Sequence, residues 1–340
     1  MPERGVFVIA EAGVNHNGRV REALKLVDAA ADAGADAVKF QAFRSSELVT
    51  AAAPRAGYQK RNTGSSSSQR TMLERLELSE RELLAVWRRC DARKVAFLCS
   101  AFDIVSLEFL IRAGLRVFKI PSGEITNLPY LERIGRAKRD VLLSTGLSTL
   151  AEVRTAVNVL VRSGTPKERI VVLQCHTEYP TAARDVNLRA MAAMGRACGV
   201  RVGLSDHTEG IAVAAAAVAL GAVCVEKHFT LDRSQSGPDH RASLEPEAFA
   251  ELVRSIRAVE EAMGSSVKRP TPRELKNAGI VRKSIVARNP ITKGEVFTEK
   301  NLAVRRPGTG MSPMLWHRIL GRKSRKSYRP DDTISMRELG

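Results

Sequence analysis

Short apolar runs alternate with stretches of helical periodicity along the chain as far as residue 263, the pattern of repeated βα units. The apolar runs predict strands over Val6–Gly13, Ala37–Phe43, Val95–Phe102, Val117–Glu124, Val141–Gly146, Ile170–His176, Arg201–His207 and Ala222–Thr230. Helical patterns fall near 19–33, 79–93, 103–113, 127–138, 149–163, 187–198, 210–221 and 245–263. Eight strands, each followed by a helix, within about 250 residues predict an α/β fold of the (β/α)8 TIM-barrel type. An open doubly wound sheet is the rival architecture. Its glycine fingerprint, GxGxxG after the first strand, is absent.

Asn15-His-Asn-Gly18 closes the first strand with turn formers. Residues 44–72 make a long excursion with Pro54, Gly57, Gly64 and serines at 65–68, read either as a lid or as a floppy surface insertion. Gly264–Arg273, with Ser265, Ser266, Pro270 and Pro272, reads as linker. The chain thus divides into a barrel at 1–265, a linker at 266–281 and a small domain at 282–340. In the last part Ser284–Ala287 and Gly294–Phe297 look β-like, and Arg306-Pro-Gly-Thr-Gly310 is a turn cluster. A domain of roughly 60 residues is marginal alone and is expected to dock on another surface.

Composition changes this picture little. The chain is 44% hydrophobic and 27% charged, with only 5% aromatic residues, so Ala, Val, Leu and Ile must fill the core. Charge changes it more. Of a net +17, residues 266–340 hold 18 Lys and Arg against 6 Asp and Glu. Such a basic segment can bind nucleic acid or steer anionic small molecules. It lacks an aromatic-interleaved RNA signature and zinc-finger spacing, so a solvated or anion-steering surface is expected and no nucleic-acid partner. Five cysteines without short-range spacing, four of them in apolar runs, suggest reduced buried thiols and a cytoplasmic home. No secretory signal is expected, because Glu11 interrupts the first apolar run. The longest apolar run, near 211–225, is shorter than the ~20 residues of a membrane span.

Barrel enzymes place their chemistry at the C-terminal ends of the strands, and polar residues recur there. Glu11 ends the first strand, Lys39 and Gln41 share a face of the second, and Ser100 ends the third. Lys119, Ser122 and Glu124 belong to the fourth, Ser144 to the fifth, and Thr177 and Tyr179 follow the sixth. Two lysines with four serines make an anion pocket, with phosphate the obvious guest. The stretch Arg201–Thr230 reads as strand, helix, strand, with Ser205 and His207 on one face and Glu226 and His228 on one face. If the two strands are parallel neighbours, both imidazoles meet at the barrel mouth and can hold a divalent metal. Glu226 is open as a third ligand or as the holder of a metal-bound water. His16, His176 and His240 also stay open as ligands.

At this point the sequence resembles the sialic acid synthase family, enzymes that condense phosphoenolpyruvate with an N-acetylated mannosamine. The matching motifs are Ile9-Ala-Glu-Ala-Gly-Val-Asn-His-Asn-Gly18, Val38-Lys-Phe-Gln41, Lys119-Ile-Pro-Ser-Gly-Glu124, Leu143-Ser-Thr-Gly146, Glu178-Tyr-Pro-Thr181, Gly203-Leu-Ser-Asp-His-Thr208, Glu226-Lys-His-Phe-Thr230, Gly237-Pro-Asp239 and Arg306-Pro-Gly-Thr-Gly310. They run in order over nearly the whole chain. The resemblance implies a barrel followed by a small antifreeze-like (SAF) domain. It makes His207 and His228 ligands of manganese, or of magnesium or cobalt in its place. Lys39, Ser100, Lys119, Ser122, Ser144 and Ser205 become the phosphoenolpyruvate site. Gln41, Glu124, Thr177, Tyr179 and Asp239 line the sugar site. Arg306 is implied to reach the partner subunit's site in a domain-swapped homodimer. Glu11 and Glu226 are the candidates for moving protons and water. The departures from the family pattern are Ser100-Ala101 where Thr-Pro is usual, His176 where Asn or Thr is common, and Thr177 where some members carry Asn.

The acceptor stays open between an N-acetylmannosamine type and a legionaminic or pseudaminic type, a 2,4-diacetamido-6-deoxy hexose. Two further readings compete. One is a Schiff-base aldolase using Lys39 or Lys119. The other is a non-enzymatic binding protein acting through its basic tail.

Overall fold

The computed structural model describes residues 5–57, 59 and 68–339. Eight parallel strands close into a barrel in sequence order. They are β1 (Phe7–Gly13), β2 (Ala37–Ala42), β3 (Ala96–Ala101), β4 (Val117–Ile120), β5 (Asp140–Ser144), β6 (Ile170–Cys175), β7 (Arg201–Asp206) and β8 (Cys224–His228). The main helices that follow them are α1 (Val20–Asp32), α2 (Glu80–Ala92), α3 (Ile104–Arg112), α4 (Leu128–Ala137), α5 (Leu150–Ser163), α6 (Arg189–Cys198), α7 (Ala212–Ala219) and α8 (Pro246–Met263). The protein is therefore the (β/α)8 barrel that its alternating pattern predicts.

Local chemistry starts several of these helices. Ser79 and Thr149 each close a capping box with the glutamate three residues on, Glu82 and Glu152. Asn127 caps α4 ahead of Pro129, a residue suited to a first helical turn. The poly-alanine α7 has no side-chain cap and depends on packing against its neighbours.

Strand parity divides the barrel into two cores. One face of each strand points outward, as Val8, Val38, Phe40, Phe118, Val141 and Val172 do, and packs under the helices. The other face points into the ring. Its lower layer is apolar, built from Phe7, Ile9, Ala37, Leu98, Leu142, Val171, Leu173 and Cys224. Two residues further along the same face, the side chains turn polar, as from Ile9 to Glu11 and from Ala37 to Lys39. Gly203 belongs to the filled layer. A Cβ there would lie 2.5 Å from the Cys224 carbonyl oxygen and 2.7 Å from Leu173 Cδ2. Gly203→Ala is therefore expected to destabilise the fold by about 1–3 kcal/mol through overpacking. A urea midpoint equal to that of the parent would show slack in the ring.

Three elements differ from the sequence expectation. The fourth strand stops at Ile120 rather than Glu124, because Pro121 cannot donate to the ladder. Ser122–Glu124 form a 3-10 turn instead. The stretch taken as linker holds a helix, α9 (Pro272–Val281), opened by a capping box between Thr271 and Glu274. Gly294–Phe297 is not a strand; only Val296 makes an isolated bridge, to Lys323. The strand that pairs with β9 (Ser284–Ala287) is β10 (Leu302–Arg305), antiparallel to it.

The chain separates into two compact units, residues 1–264 and 265–340. The second has its own core of Ile285, Phe297, Leu302, Met311, Ile319 and Tyr328. Tyr328 donates to Glu338 at 2.7 Å inside it. In the excursion after β2, helical turns form at Ser45–Leu48 and Gln69–Glu74. Gly64 and Ser65–Ser67 lie outside the described residues. None of the described helices is long and apolar enough to cross a membrane.

Candidate active site

The polar upper layer of the barrel interior is one connected cluster. Parallel registry puts Glu11 beside Lys39 on one side and His228 on the other, and pairs Ser205 with Glu226. Lys39 Nζ lies 2.6 Å from Glu11 Oε2, an ion pair without hydrogen-bond alignment, and 3.8 Å from Glu226 Oε2. Lys119 donates to Glu226 Oε1 at 2.9 Å, and Ser205 donates to the same oxygen at 2.9 Å. Lys39 reaches Ser100 Oγ at 3.3 Å, and Gln41 donates to Glu11 Oε1 at 3.1 Å. All four charged groups are buried.

Burial opposes ionisation of Glu226, but Lys119 and Lys39 overcome it and hold the carboxyl at about 2. Glu11 goes the other way: burial and the nearby Glu226 charge outweigh Lys39 and raise it. Burial works against the Lys39 ammonium, yet Glu11 and Glu226 raise its pKa. From sequence the two lysines were read, with the serines, as an anion pocket. The lysines are in fact held in a charge network with the two carboxylates.

The two histidines meet above this network. Their ring centroids are 5.3 Å apart, and Tyr179 packs 4.1 Å from His207 and 5.4 Å from His228. His207 Nδ1 is hydrogen-bonded to the His176 carbonyl, which orients the ring. His228 Nδ1 is buried with no hydrogen-bond partner. Burial, reinforced by His207, keeps His228 well below its ordinary pKa, so its imidazole is neutral. Neutral imidazole is the ligating form, and a buried orphan nitrogen is what a ligand position looks like before its ion arrives. Burial opposes the charged form of His207, but Cys175 and the His176 carbonyl raise its pKa. The fit of a divalent metal to the pair rests on the closeness of the two rings and the orphaned His228 nitrogen. Among the described residues no group of three His, Cys, Asp or Glu side chains could hold an ion. The idea of Glu226 as third ligand gives way here, because its oxygens face Lys119, Ser205 and Lys39.

The remaining candidates distribute as follows. Ser144 Oγ is buried and unpartnered in the same cavity. Ser122 Oγ accepts from the Gly146 N–H at 3.0 Å and lies 3.6 Å from Cys175 Sγ. Gly146 is required: a Cβ there would lie 2.8 Å from Ser122 Oγ and 2.7 Å from Thr177 Cγ2. Thr177, Tyr179 and Asp239 also line the cavity. Burial, aided by Glu11, raises the Asp239 carboxyl to about 7. Glu124 is half-buried in the turn after β4 and accepts from Asn127 at 2.6 Å. It is not among the cavity-lining residues. Arg306 is exposed in the second unit.

His16 and His240 stay outside the cavity lining. His16 Nδ1 accepts from the Gly18 N–H at 3.0 Å, and His240 Nδ1 is 2.7 Å from Thr230 Oγ1. His16 Nε2 is also buried without a hydrogen-bond partner, but its ring stands outside the cavity, so it does not join the His207–His228 pair. Cys175 was missed as a lining residue. Burial pushes its thiol up, but His207 and Lys119 bring it down to about 7. Its signal was parity: it stands two residues after Leu173, on the inward face of β6.

A family model described as the NeuB family matches residues 26–268, and one described as the SAF domain matches 282–339. The chain belongs to the NeuB family. It is 47% identical over 331 residues, 96% of its length and 98% of the relative's, to the N,N'-diacetyllegionaminic acid synthase of Campylobacter jejuni. It is 35% identical to the human N-acetylneuraminate-9-phosphate synthase, over 98% of this chain and 92% of that protein. Among solved structures it resembles the N-acetylneuraminic acid synthetase of Leptospira borgpetersenii, determined in complex with citrate. There the TM-score is 0.71 at 33% identity, covering 81% of this chain and 90% of that one. Lys39, Lys119 and Glu226 of the buried network fall within the residues matched to the NeuB family; Glu11 precedes them.

His16 offers a test of the fold around this site. Burial pushes its pKa from 6.5 to about 4. The folded state thus binds the proton less readily than the unfolded chain. Its contribution is full above pH 6.5 and is lost as pH falls through about 4. The expected loss is about 3 kcal/mol. Urea unfolding at pH 7.5 and pH 4 checks it: His16→Gln should show the smaller drop, and equal drops would refute the assignment.

Proposed function

We propose that this protein is a nonulosonic acid synthase. It condenses phosphoenolpyruvate with the open-chain aldehyde of an N-acetylmannosamine-type amino sugar, giving a sialic-type acid and phosphate. The observation that carries this reading is the buried network of Lys39, Lys119, Glu11 and Glu226 directly beneath the His207–His228 pair. The names of relatives that the chain matches over nearly its whole length support it.

A divalent cation on His207 and His228, manganese first and magnesium or cobalt next, would act as a Lewis acid on the aldehyde oxygen. Lys39 and Lys119 attract the anionic phosphoenolpyruvate, and Ser100, Ser122, Ser144 and Ser205 supply hydroxyl donors around it. Ser144, unpartnered and buried, is the clearest of these donors. C3 of phosphoenolpyruvate attacks the aldehyde carbon, water adds at C2, and phosphate leaves with C–O cleavage. Glu11 and Glu226 are assigned to pass protons to and from that water. Because the attacking atom is carbon, no protein nucleophile is needed. Gln41, Thr177, Tyr179 and Asp239, which line the cavity, are assigned to the sugar; Glu124, outside that lining and paired with Asn127, is not.

A second acceptor, a 2,4-diacetamido-6-deoxy hexose, is favoured by the name of the 47% identical relative. The aldolase reading is disfavoured by charge. A Schiff-base lysine must be available as free amine, while Lys39 and Lys119 both sit in ion pairs. Borohydride trapping with a pyruvate-like substrate should label neither lysine.

The deciding experiment is phosphate release from phosphoenolpyruvate across a panel of acceptors, with and without manganese. Release dependent on metal and on an amino-sugar aldehyde is the expected result. Salt-sensitive nucleic-acid binding with no phosphate release would leave the binding-protein reading in its place.

The homodimer belongs to this proposal. Leu275, Ile280 and Val281 leave apolar surface exposed on α9, and Arg306 is exposed on the turn after β10. We assign this arginine to the partner subunit's acceptor. Arg306→Ala is expected to raise the acceptor KM about 10-fold or more, by loss of a charge-assisted hydrogen bond, with the phosphoenolpyruvate KM little changed. An unchanged acceptor KM would remove the assignment.

A further inference from the structure

The cavity has two unlike walls. One is the charged network described above. The other comes from the excursion after β2, where Phe43, Leu48, Val49, Met72 and Leu73 line the same space. These five side chains form one hydrophobic cluster. Phe43, Met72 and Leu73 are 5%, 7% and 8% exposed, so the wall is fixed by packing rather than draped over the opening. Gln69 stands on it, one turn of helix before Met72 and Leu73, and also faces the cavity.

Nothing in the proposed chemistry uses this wall. Phosphoenolpyruvate is a small polyanion matched to the lysines and serines. The hydroxyl groups of an ordinary hexose lose their water partners against aliphatic carbon and sulfur, which offer none in return. A methyl group gains there. An apolar surface, with the side-chain amides of Gln59 and Gln69 also facing the cavity, complements a sugar bearing methyl and acetamide groups in place of hydroxyls.

We infer that the wall of Phe43, Leu48, Val49, Met72 and Leu73 is the acceptor-selecting subsite. It takes the C6 methyl and the second acetamido group of a 2,4-diacetamido-6-deoxy hexose, with Gln69 pairing to that acetamide. The inference rests on the condensation proposed above and narrows its substrate. Of the two acceptors, it makes the 6-deoxy one preferred and N-acetylmannosamine poor. A hydrophobic pocket discriminates one methyl or hydroxyl difference by about 10- to 100-fold, which sets the scale.

The test compares kcat/KM for 2,4-diacetamido-2,4,6-trideoxymannose and for N-acetylmannosamine in the parent protein, Met72→Gln and Leu48→Asn. The parent should prefer the trideoxy sugar by at least about 10-fold. Each variant should cut that preference by about 10-fold while leaving the phosphoenolpyruvate KM in place. Leu48 is only partly buried, so Leu48→Asn decides the matter should Met72→Gln fail to fold. A parent that prefers N-acetylmannosamine, or folded variants with an unchanged ratio, overturns the subsite. Absence of phosphate release with any acceptor is a different result, because it removes the condensation itself.

Discussion

Alanine in place of His207 is expected to abolish metal-dependent turnover, lowering kcat by about 10³ or more. The scale follows from the several kcal/mol a Lewis acid supplies to a polarised carbonyl, at about 1.4 kcal/mol per factor of ten. With only two imidazoles in reach of one another, a single remaining ring cannot keep the ion against water. The fold should survive. His207 lies just beyond the end of β7, and its ring meets Tyr179, His228, the His176 carbonyl and Cys175 above the apolar layer rather than within it. The measurement is phosphate release in a manganese titration, with manganese binding followed independently by electron paramagnetic resonance. Full activity, or unaltered manganese binding, would remove the metal assignment.

The second large effect lies outside the barrel wall. Lys227 is fully buried and donates to Asp206 Oδ2 at 2.7 Å and to the Thr208 carbonyl at 2.6 Å. Asp206 Oδ1 in turn accepts from the Thr208 N–H and hydroxyl. Asp206 and Lys227 are register partners on adjacent strands, and each immediately precedes one of the two histidines. The pair is a clamp across the strand ends that carry the imidazoles. Lys227→Met leaves a buried carboxylate without its cation, a loss of about 3–5 kcal/mol in stability. It should also weaken manganese binding by about 10- to 100-fold, as removal of a group that orients a ligand does. A double variant, Asp206→Asn with Lys227→Met, should recover part of the stability but not the affinity. Parallel recovery of both would mean that the pair only holds the fold.

The clamp also shows where sequence reading stops. Period-2 parity put Lys39 with Gln41, Ser205 with His207 and Glu226 with His228 on shared faces, because side-chain direction along a strand is nearly fixed by position; Glu11 and Lys119 were read from their places in the first and fourth strands. The same parity put Lys227 and Asp206 on the outward face, where no chemistry was sought. Pairing between distant charges is likewise invisible along the chain. Lys39 and Glu11 meet only because β1 and β2 are neighbours in a particular register. Helix α9 was legible and misread: Pro270 and Pro272 suggested a breaker, although proline suits the first turn and Thr271-x-x-Glu274 is a start signal. Gly294–Phe297 failed for a different reason. Its apolar residues serve a small core of turns, and Phe297 is buried there without any strand.

The ring is sealed by its first and last strands, and that seam runs through the reacting centre, with Glu11 in register opposite His228. A ribosome must therefore release two-thirds of the polypeptide before any of these groups can assemble. Partial translation products will be inert rather than weakly active.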